Sequence, residues 1–267
     1  MQRLAPEFTD RTDAAEAVDF VSLTSANRFE ALVTPDSIDL MTAMQNGCKL
    51  VVLDPRFTKT AALANEWFAI KPGTDMAFFL ALAHVIIGEK LYDQAYAAEK
   101  LYGVEQLGEH VKQYSPEWAE GECEIPAKEI RRIARELAAA APAAIVYPGR
   151  RTSDYVNSTQ IRRAMAIING LLGNWDQPGG LLAARKVGLS GPELPDSPFY
   201  EDNPDDRADH GRAHMMFDEE GSFKHMRDAI IEEKPYPVKM LFFISSNPLM
   251  TRANAKEVYR ALKKVDF

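Results

Sequence analysis

The chain has 267 residues, 46% hydrophobic and 26% charged; this is the balance of a soluble globular protein with little room for extended disorder, and at about 150 residues per domain it suggests two domains or one large one. Lys plus Arg number 31 against 39 Asp plus Glu, a formal net charge of −8 that speaks against a broad electrostatic hold on nucleic acid and leaves only local basic pockets. Apolar runs such as 76–87 are too short to span a bilayer, the opening MQRLAPEFTD lacks the features of a signal peptide, and Cys48 and Cys123 are too few and too far apart for a zinc or four-thiolate iron–sulfur site.

The run VDFVSL at 18–23 predicts a strand that ends in Ser25-Ala26-Asn27, and Thr34-Pro35-Asp36-Ser37 starts a helix that Asn46-Gly47 closes. KLVVL at 49–53 has no polar alternation, as a strand covered on both faces requires. Strand, helix and strand of these lengths predict a right-handed parallel crossover, whose ligands would sit beyond the strand ends, at 25–27 and 54–58. A short apolar segment at 67–70 leads through Lys71-Pro72-Gly73-Thr74-Asp75 into an apolar helix at 76–87. Small helices and polar connections fill 89–126. EIRRIARELAAA is a clear amphipathic helix that Ala141-Pro142 breaks, with Ile130, Ile133, Ala134 and Leu137 on one face. AAIVY at 143–147 is a further strand followed by Pro148-Gly149-Arg150-Arg151, and 159–172 is helical. A polar, Pro-rich and acidic loop covers about 183–235. An apolar strand at 238–244, Ser245-Ser246-Asn247-Pro248, a helix near 253–264 and the start of another strand at 265–267 complete the chain.

FVSLTSANRF and LFFISSNPLM both run an apolar strand into Ser-x-Asn, an echo that fits two related sheet halves or the common preference of strand ends for Ser and Asn turns. The segment VVLDPRFTKTAALANEWFAIKPGTDMAFFLALAHVI resembles the molybdopterin oxidoreductases, large enzymes that carry molybdenum or tungsten on pterin guanine dinucleotides. SANRFEALVTPD is similar to that family's Gly-x-Asn-Pro-x-Glu segment, with Ser25 for the usual Gly and Arg28 for the usual Pro. YPGRRTSDYVNSTQIRRAMAIINGLLGNWDQPGGLL and FFISSNPLMT also match, and Pro-Gly-Arg-Arg before Tyr-x-Asn is most similar to the polysulfide and thiosulfate reductase branch. The family's Cys-rich segment for a four-iron cluster, its molybdenum-ligand segment and its closing barrel-like domain have no counterpart here, and neither cysteine matches the metal ligand. The resemblance therefore implies a central fragment, inactive alone, that supplies cofactor loops and neither metal ligand nor catalytic residue.

Each candidate residue has a plainer reading beside the functional one. Asp54 could accept two hydrogen bonds from a ribose diol, as the resemblance implies for guanosine, or form a turn with Pro55. Arg56 could pair with a phosphate or a surface acid, and Thr58 could donate to the same phosphate or cap the following helix. Gly73 would let a flat base approach between Pro72 and Thr74, and Asp75 could accept the paired N1 and N2 hydrogens of guanine, although Thr74 or Asp75 is equally a helix cap. Asn27 and its counterpart Asn247 could reach pyrophosphate or pterin edges or form local turns. By the resemblance Ser25 and Glu30, and in the later half Gly149, Ser245 and Pro248, join the cofactor loops. Arg150 and Arg151 could attract an anionic sulfur substrate or be solvated. His84 reads as a core residue; His210, His214 and His225 are too irregularly spaced for a metal cluster.

The expected architecture is α/β: a parallel-sheet, Rossmann-like nucleotide-binding domain over 1–140 and part of a second, related α/β domain over 141–267. The resemblance implies a molybdopterin guanine dinucleotide cofactor with molybdenum or tungsten, a sulfur oxyanion or polysulfide as substrate, an iron–sulfur electron-transfer subunit, a membrane anchor subunit and export of the parent enzyme. The alternatives are a standalone guanine-nucleotide-binding or interaction module and, within the family, a formate, nitrate or arsenic oxyanion enzyme.

Overall fold

The computed structural model describes residues 19–24, 26–31, 35–149, 157–181 and 222–267, so that Ser25, Arg150, Arg151, His210, His214 and most of the polar loop lie outside the described residues. The chain divides into two compact units, 1–187 and 188–267.

In the first unit the strands are β1 (Phe20–Thr24), β2 (Lys49–Leu53), β3 (Glu66–Phe68) and β4 (Ala144–Pro148). The helices are α1 (Arg28–Ala31), α2 (Pro35–Gln45), α3 (Lys59–Leu63), α4 (Asp75–Gly88), α5 (Gln94–Lys100), α6 (Val104–Val111), α7 (Pro116–Cys123), α8 (Ala127–Ala139) and α9 (Ser158–Leu171). The strands form one parallel sheet in the order β3-β2-β1-β4. The expected crossover is present. A division near residue 140 is not: β4 pairs with β1 from Phe20↔Ala144 to Thr24↔Pro148, because the chain returns to the free edge of β1 and extends the same sheet.

The apolar pattern of each strand sorts its residues between two cores. Val51, Leu53, Ala144 and Val146 face the larger one with Phe78, Phe79, Leu82 and Ile86 of α4, Ile130, Ile133 and Leu137 of α8, and Ile161, Met165 and Ile168 of α9. Val21, Leu50 and Val52 face the smaller one with Leu40 and Ala43 of α2 and Ala61 of α3. KLVVL thus lacks alternation because helices cover both sides. Helix α4 is apolar all round, as its burial between α7, α8 and α9 requires, whereas α8 keeps its charged face outward.

The edge at β4 is closed by side chains. Asn169 Oδ1 accepts from Val146 N at 3.0 Å while its Nδ2 donates to Val146 O at 2.9 Å, and Asn174 Nδ2 donates to Ala144 O. A buried amide here takes the hydrogen bonds that another strand would otherwise make.

The second unit contains α10 (Phe223–Glu232), α11 (Pro248–Thr251) and α12 (Ala255–Leu262). Ala229, Ile230, Val258 and Ala261 are buried, and Arg252 lies over the Phe223 ring at 4.9 Å. The apolar run 238–244 does not form the expected strand among the described residues. Leu241 N donates to Phe267 O at 3.0 Å and Phe267 N to Lys239 O at 3.1 Å, the pattern of a parallel pair about Met240, but no longer ladder develops. With no covering layer described, Phe242 and Ile244 are 81% and 76% exposed.

Candidate functional site

Parallel strands all deliver their following loops to one end of the sheet, and the first unit collects Asn27, Glu30, Asp54, Pro55, Arg56, Thr58, Pro72, Gly73, Thr74, Asp75 and Gly149 there. Strand order reverses between β1 and β4: α2 and α3 cover one face after β1 and β2, and α9 covers the other after β4. A crevice at such a reversal is where open α/β sheets take ligands.

Beyond β1, Asn27 is held rather than free to turn. Its Nδ2 donates to Glu30 Oε2 at 2.6 Å, and its Oδ1 accepts from Thr60 Oγ1 at 2.7 Å; the same Thr60 oxygen accepts from Phe29 N at 3.0 Å. Thr60, wholly buried on α3, therefore ties the β1 loop to the β2 loop. Arg28, the departure from the family's proline, lies over the Tyr147 ring of β4 at 4.4 Å, and its carbonyl accepts from Ser37 Oγ at 2.7 Å.

At the end of β2, Asp54 is nearly buried and Oδ1 accepts from Arg56 N at 2.9 Å, a turn that leaves the second oxygen for another donor. Its carbonyl accepts from Trp67 Nε1 at 2.8 Å. Thr58 Oγ1 accepts from Ala61 N at 3.2 Å, so this residue caps α3 and the plainer reading describes its contact. Arg56 is exposed.

After β3, Gly73 has φ +84, a left-handed turn that disfavours a side chain, and Thr74 Oγ1 donates to Lys71 O at 2.6 Å. Thr74 occupies the position before α4 without a side-chain cap bond. Asp75 is the first residue of α4 and only 3% exposed. Burial pushes its carboxyl up; a hydrogen bond to its own backbone opposes this and the nearby Asp54 charge adds to it. Among the described residues neither Asp54 nor Asp75 has an ion-pair partner. Thr24, at the end of β1, is wholly buried with an unpartnered Oγ1 among the described residues, as is Ser22 on the same face.

The remaining expectations have these contacts. Gly149 N donates to Thr24 O at 2.8 Å and its carbonyl accepts from Arg162 at 3.4 Å, which continues the β1–β4 edge. Ser245, Asn247 and Pro248 belong to the second unit; Asn247 starts α11 and its carbonyl accepts from Thr251 Oγ1 at 2.8 Å. His84 bonds the Val111 carbonyl at 2.8 Å within the helical layer. Among the described residues no three His, Cys, Asp or Glu side chains are grouped to hold a metal, and no helix is long and apolar enough to cross a membrane. Thr24, Thr60 and Tyr147 escape site assignment from sequence because their roles depend on which strands are neighbours.

A buried carboxylate beside a positive-φ glycine, a half-committed aspartate one strand away and an orphaned hydroxyl at the next strand fit a ligand rich in paired N–H and O–H donors. A model of the molybdopterin oxidoreductase family matches residues 2–267. The molybdopterin-containing subunit PhsA of thiosulfate reductase from Salmonella typhimurium is 34% identical over 254 residues, 90% of this chain and 33% of its own. Acetylene hydratase of Syntrophotalea acetylenica is 32% identical over 86% of this chain and 35% of its own, and the arsenate respiratory reductase subunit ArrA of a Shewanella species 28% identical over 82% and 30%. The solved structure of acetylene hydratase from Pelobacter acetylenicus superposes with a TM-score of 0.74 at 28% identity, covering 96% of this chain and 40% of that one. The chain spans about a third of the length of these curated relatives.

Proposed function

The chain belongs to the molybdopterin oxidoreductase family, and we propose that its first unit holds the guanine dinucleotide arm of that family's molybdenum–pterin cofactor. The observation that carries this is Asp75, a carboxylate 3% exposed at the first turn of α4 with no ion-pair partner among the described residues. Two parallel acceptors suit the N1 and N2 hydrogens of guanine, which adenine does not present. The second oxygen of Asp54 suits a ribose hydroxyl, and Gly73, with no side chain, would let a flat base approach the backbone.

The whole enzyme would reduce a sulfur compound such as thiosulfate or polysulfide, a reading supported by the 34% identity to a thiosulfate reductase subunit. The bound metal would supply the oxo- or sulfur-transfer chemistry, while this chain's residues bind and orient its organic arm. Iron–sulfur and membrane-anchor subunits would bring the electrons, and the parent enzyme would be exported.

Titration of the full chain with GDP and ADP tests the base assignment. Wild type should prefer GDP, and Asp75→Ala should weaken GDP by about 1–3 kcal/mol with little change for ADP. Equal loss for both nucleotides, or no preference in the wild type, would reduce Asp75 to a helix terminus.

A further inference from the structure

We propose that the outer edge of the segment 238–244 is a self-association surface, on which a second copy of this chain adds its own 238–244 in antiparallel, two-fold pairing. The inference is independent of the nucleotide-binding reading and concerns the second unit alone.

The hydrogen bonds already made fix which way the backbone of this segment faces. Lys239 O and Leu241 N are turned toward Phe267, so the N–H and C=O groups of Met240, Phe242 and Ile244, one residue out of phase, point to the opposite edge. Among the described residues none of these groups has a hydrogen-bond partner. The side chains follow the same alternation. Phe267 stands opposite Met240 in the parallel pair, which sets Met240, Phe242, Ile244 and Phe267 on one face, 61%, 81%, 76% and 82% exposed. Together they leave roughly 500 Å² of contiguous apolar surface, near the upper limit for the largest patch on a monomer.

What fits this edge is a copy of itself. Exposed edges are ordinarily blunted by outward lysines, prolines or bulges. Here Lys239, the only charged residue in 236–249, belongs to the set whose backbone faces Phe267, and Pro237 and Pro248 bound the open stretch without interrupting it. Antiparallel pairing about Phe242 sets Phe242 against Phe242 of the second copy and Met240 against Ile244, each opposed pair exchanging both hydrogen bonds. Lys239 then meets Ser245, so no like charges are opposed. The two apolar patches bring together roughly 1,000 Å², the size at which specific interfaces begin. A two-fold contact of this kind uses both outer edges and closes at two copies, whereas parallel addition would leave an edge open for growth.

Sedimentation velocity of the full chain across a range of concentrations, with hydrogen exchange on the same samples, tests the proposal. Wild type should shift from one copy to two as concentration rises and go no further. The amides of Met240, Phe242 and Ile244 should become protected with that shift, while that of Leu241, bonded to Phe267 within the chain, should change little. Phe242→Pro should weaken association at least about tenfold, since proline removes the central N–H donor of the outer edge and leaves the bonds to Phe267 in place. Phe242→Lys, which keeps the N–H, should weaken it too by placing a charge on the edge. Tyr102→Lys, at a fully exposed aromatic of the first unit, should not. A thermal melt matching wild type shows that each variant is folded. A monomer at every concentration, growth beyond two copies, a dimer that either Phe242 variant leaves intact, an equal loss in Tyr102→Lys, or protection of the outer amides in the monomer would overturn the proposal.

Discussion

The two ends of the parallel sheet treat charge in opposite ways. At the amino-terminal end, Lys49 of β2 lies 2.5 Å from Glu66 of β3 and 2.7 Å from Glu136 of α8, while Arg132 pairs with Glu66, Glu129 and Glu136. Every charge in this group has an opposite neighbour. At the carboxyl-terminal end, Asp54 and Asp75 are more deeply buried, and neither has an ion-pair partner among the described residues. On the proposed reading, the paired charges hold structure, and the unpaired carboxylates are left for the dinucleotide to compensate.

Removal of Arg132 should have the larger effect on stability. In Arg132→Met, Glu66 and Glu136 would share Lys49, and Glu129 would keep only Lys128 at 3.8 Å. The side chains involved are about a quarter to a third exposed, so solvent discounts the repulsion, and a loss of about 1–2 kcal/mol is expected in thermal or urea unfolding. Glu66→Gln in the same background should recover part of that loss. No loss in the single variant would mean that the paired end is decorative.

Acid should separate the ends next. Burial pushes Glu66 and Glu136 up, but hydrogen bonds and charge from Arg132 and Lys49 outweigh it and hold both carboxyls below the ordinary glutamate value of 4.5. Their stabilisation is complete above that value and is lost as pH falls through the lowered ones. At the other extreme, burial lowers Lys49 but its two glutamates raise it above 10.5, so its contribution persists up to that pH and is lost only as pH rises through the raised value. Asp75 runs oppositely: with its folded value raised above 3.8, the folded chain binds that proton more tightly and acid relieves the site. The acid loss of stability should therefore be shallower in Arg132→Met than in wild type, since the carboxyls whose protonation drives it would no longer be held low. Parallel acid profiles for the two proteins would break the contrast.

Much of this contrast could not be read along the chain. β2 and its buried run, α4 and α8 are legible because their apolar periodicity is local, and Asp54 and Asp75 are legible because they close a strand and open a helix. The sheet order is not local: Ala143–Tyr147 reads as a strand, but nothing in its residues says that it joins β1, and the expected boundary near 140 followed from that gap. The same gap hides Asn169, whose amide closes the β4 edge, and the meeting of Lys49, Glu66 and Arg132, which are far apart in sequence. Conversely, 238–244 has the composition of a buried strand, yet among the described residues a parallel strand finds only Phe267 as partner. Apolar pattern specifies what a segment can do; the neighbours decide whether it does.

The smallest expected effect is the sharpest test of the unpaired end. Asp75→Asn keeps the side-chain shape and removes the buried charge, but it also removes a negative charge from the first turn of α4, where the helix dipole favours one by about 0.3–1 kcal/mol. Burial outweighs that local help, since the carboxyl is raised despite its own backbone hydrogen bond. The net expectation is a gain of roughly 0.5 kcal/mol at neutral pH, at the low end of what relief of a functional site yields. The sign of its pH dependence identifies the cause. Below 3.8 the wild-type carboxyl is protonated in both folded and unfolded chains, so the gap between the two proteins should close there and open as pH rises through the raised folded value. GDP affinity should move in the opposite sense, weakening in wild type as the pH falls and Asp75 takes up its proton, and staying low and flat in Asp75→Asn. If the substitution instead destabilises the chain at neutral pH, then Asp75 is already compensated, and the difference between the two sheet ends is one of geometry rather than charge.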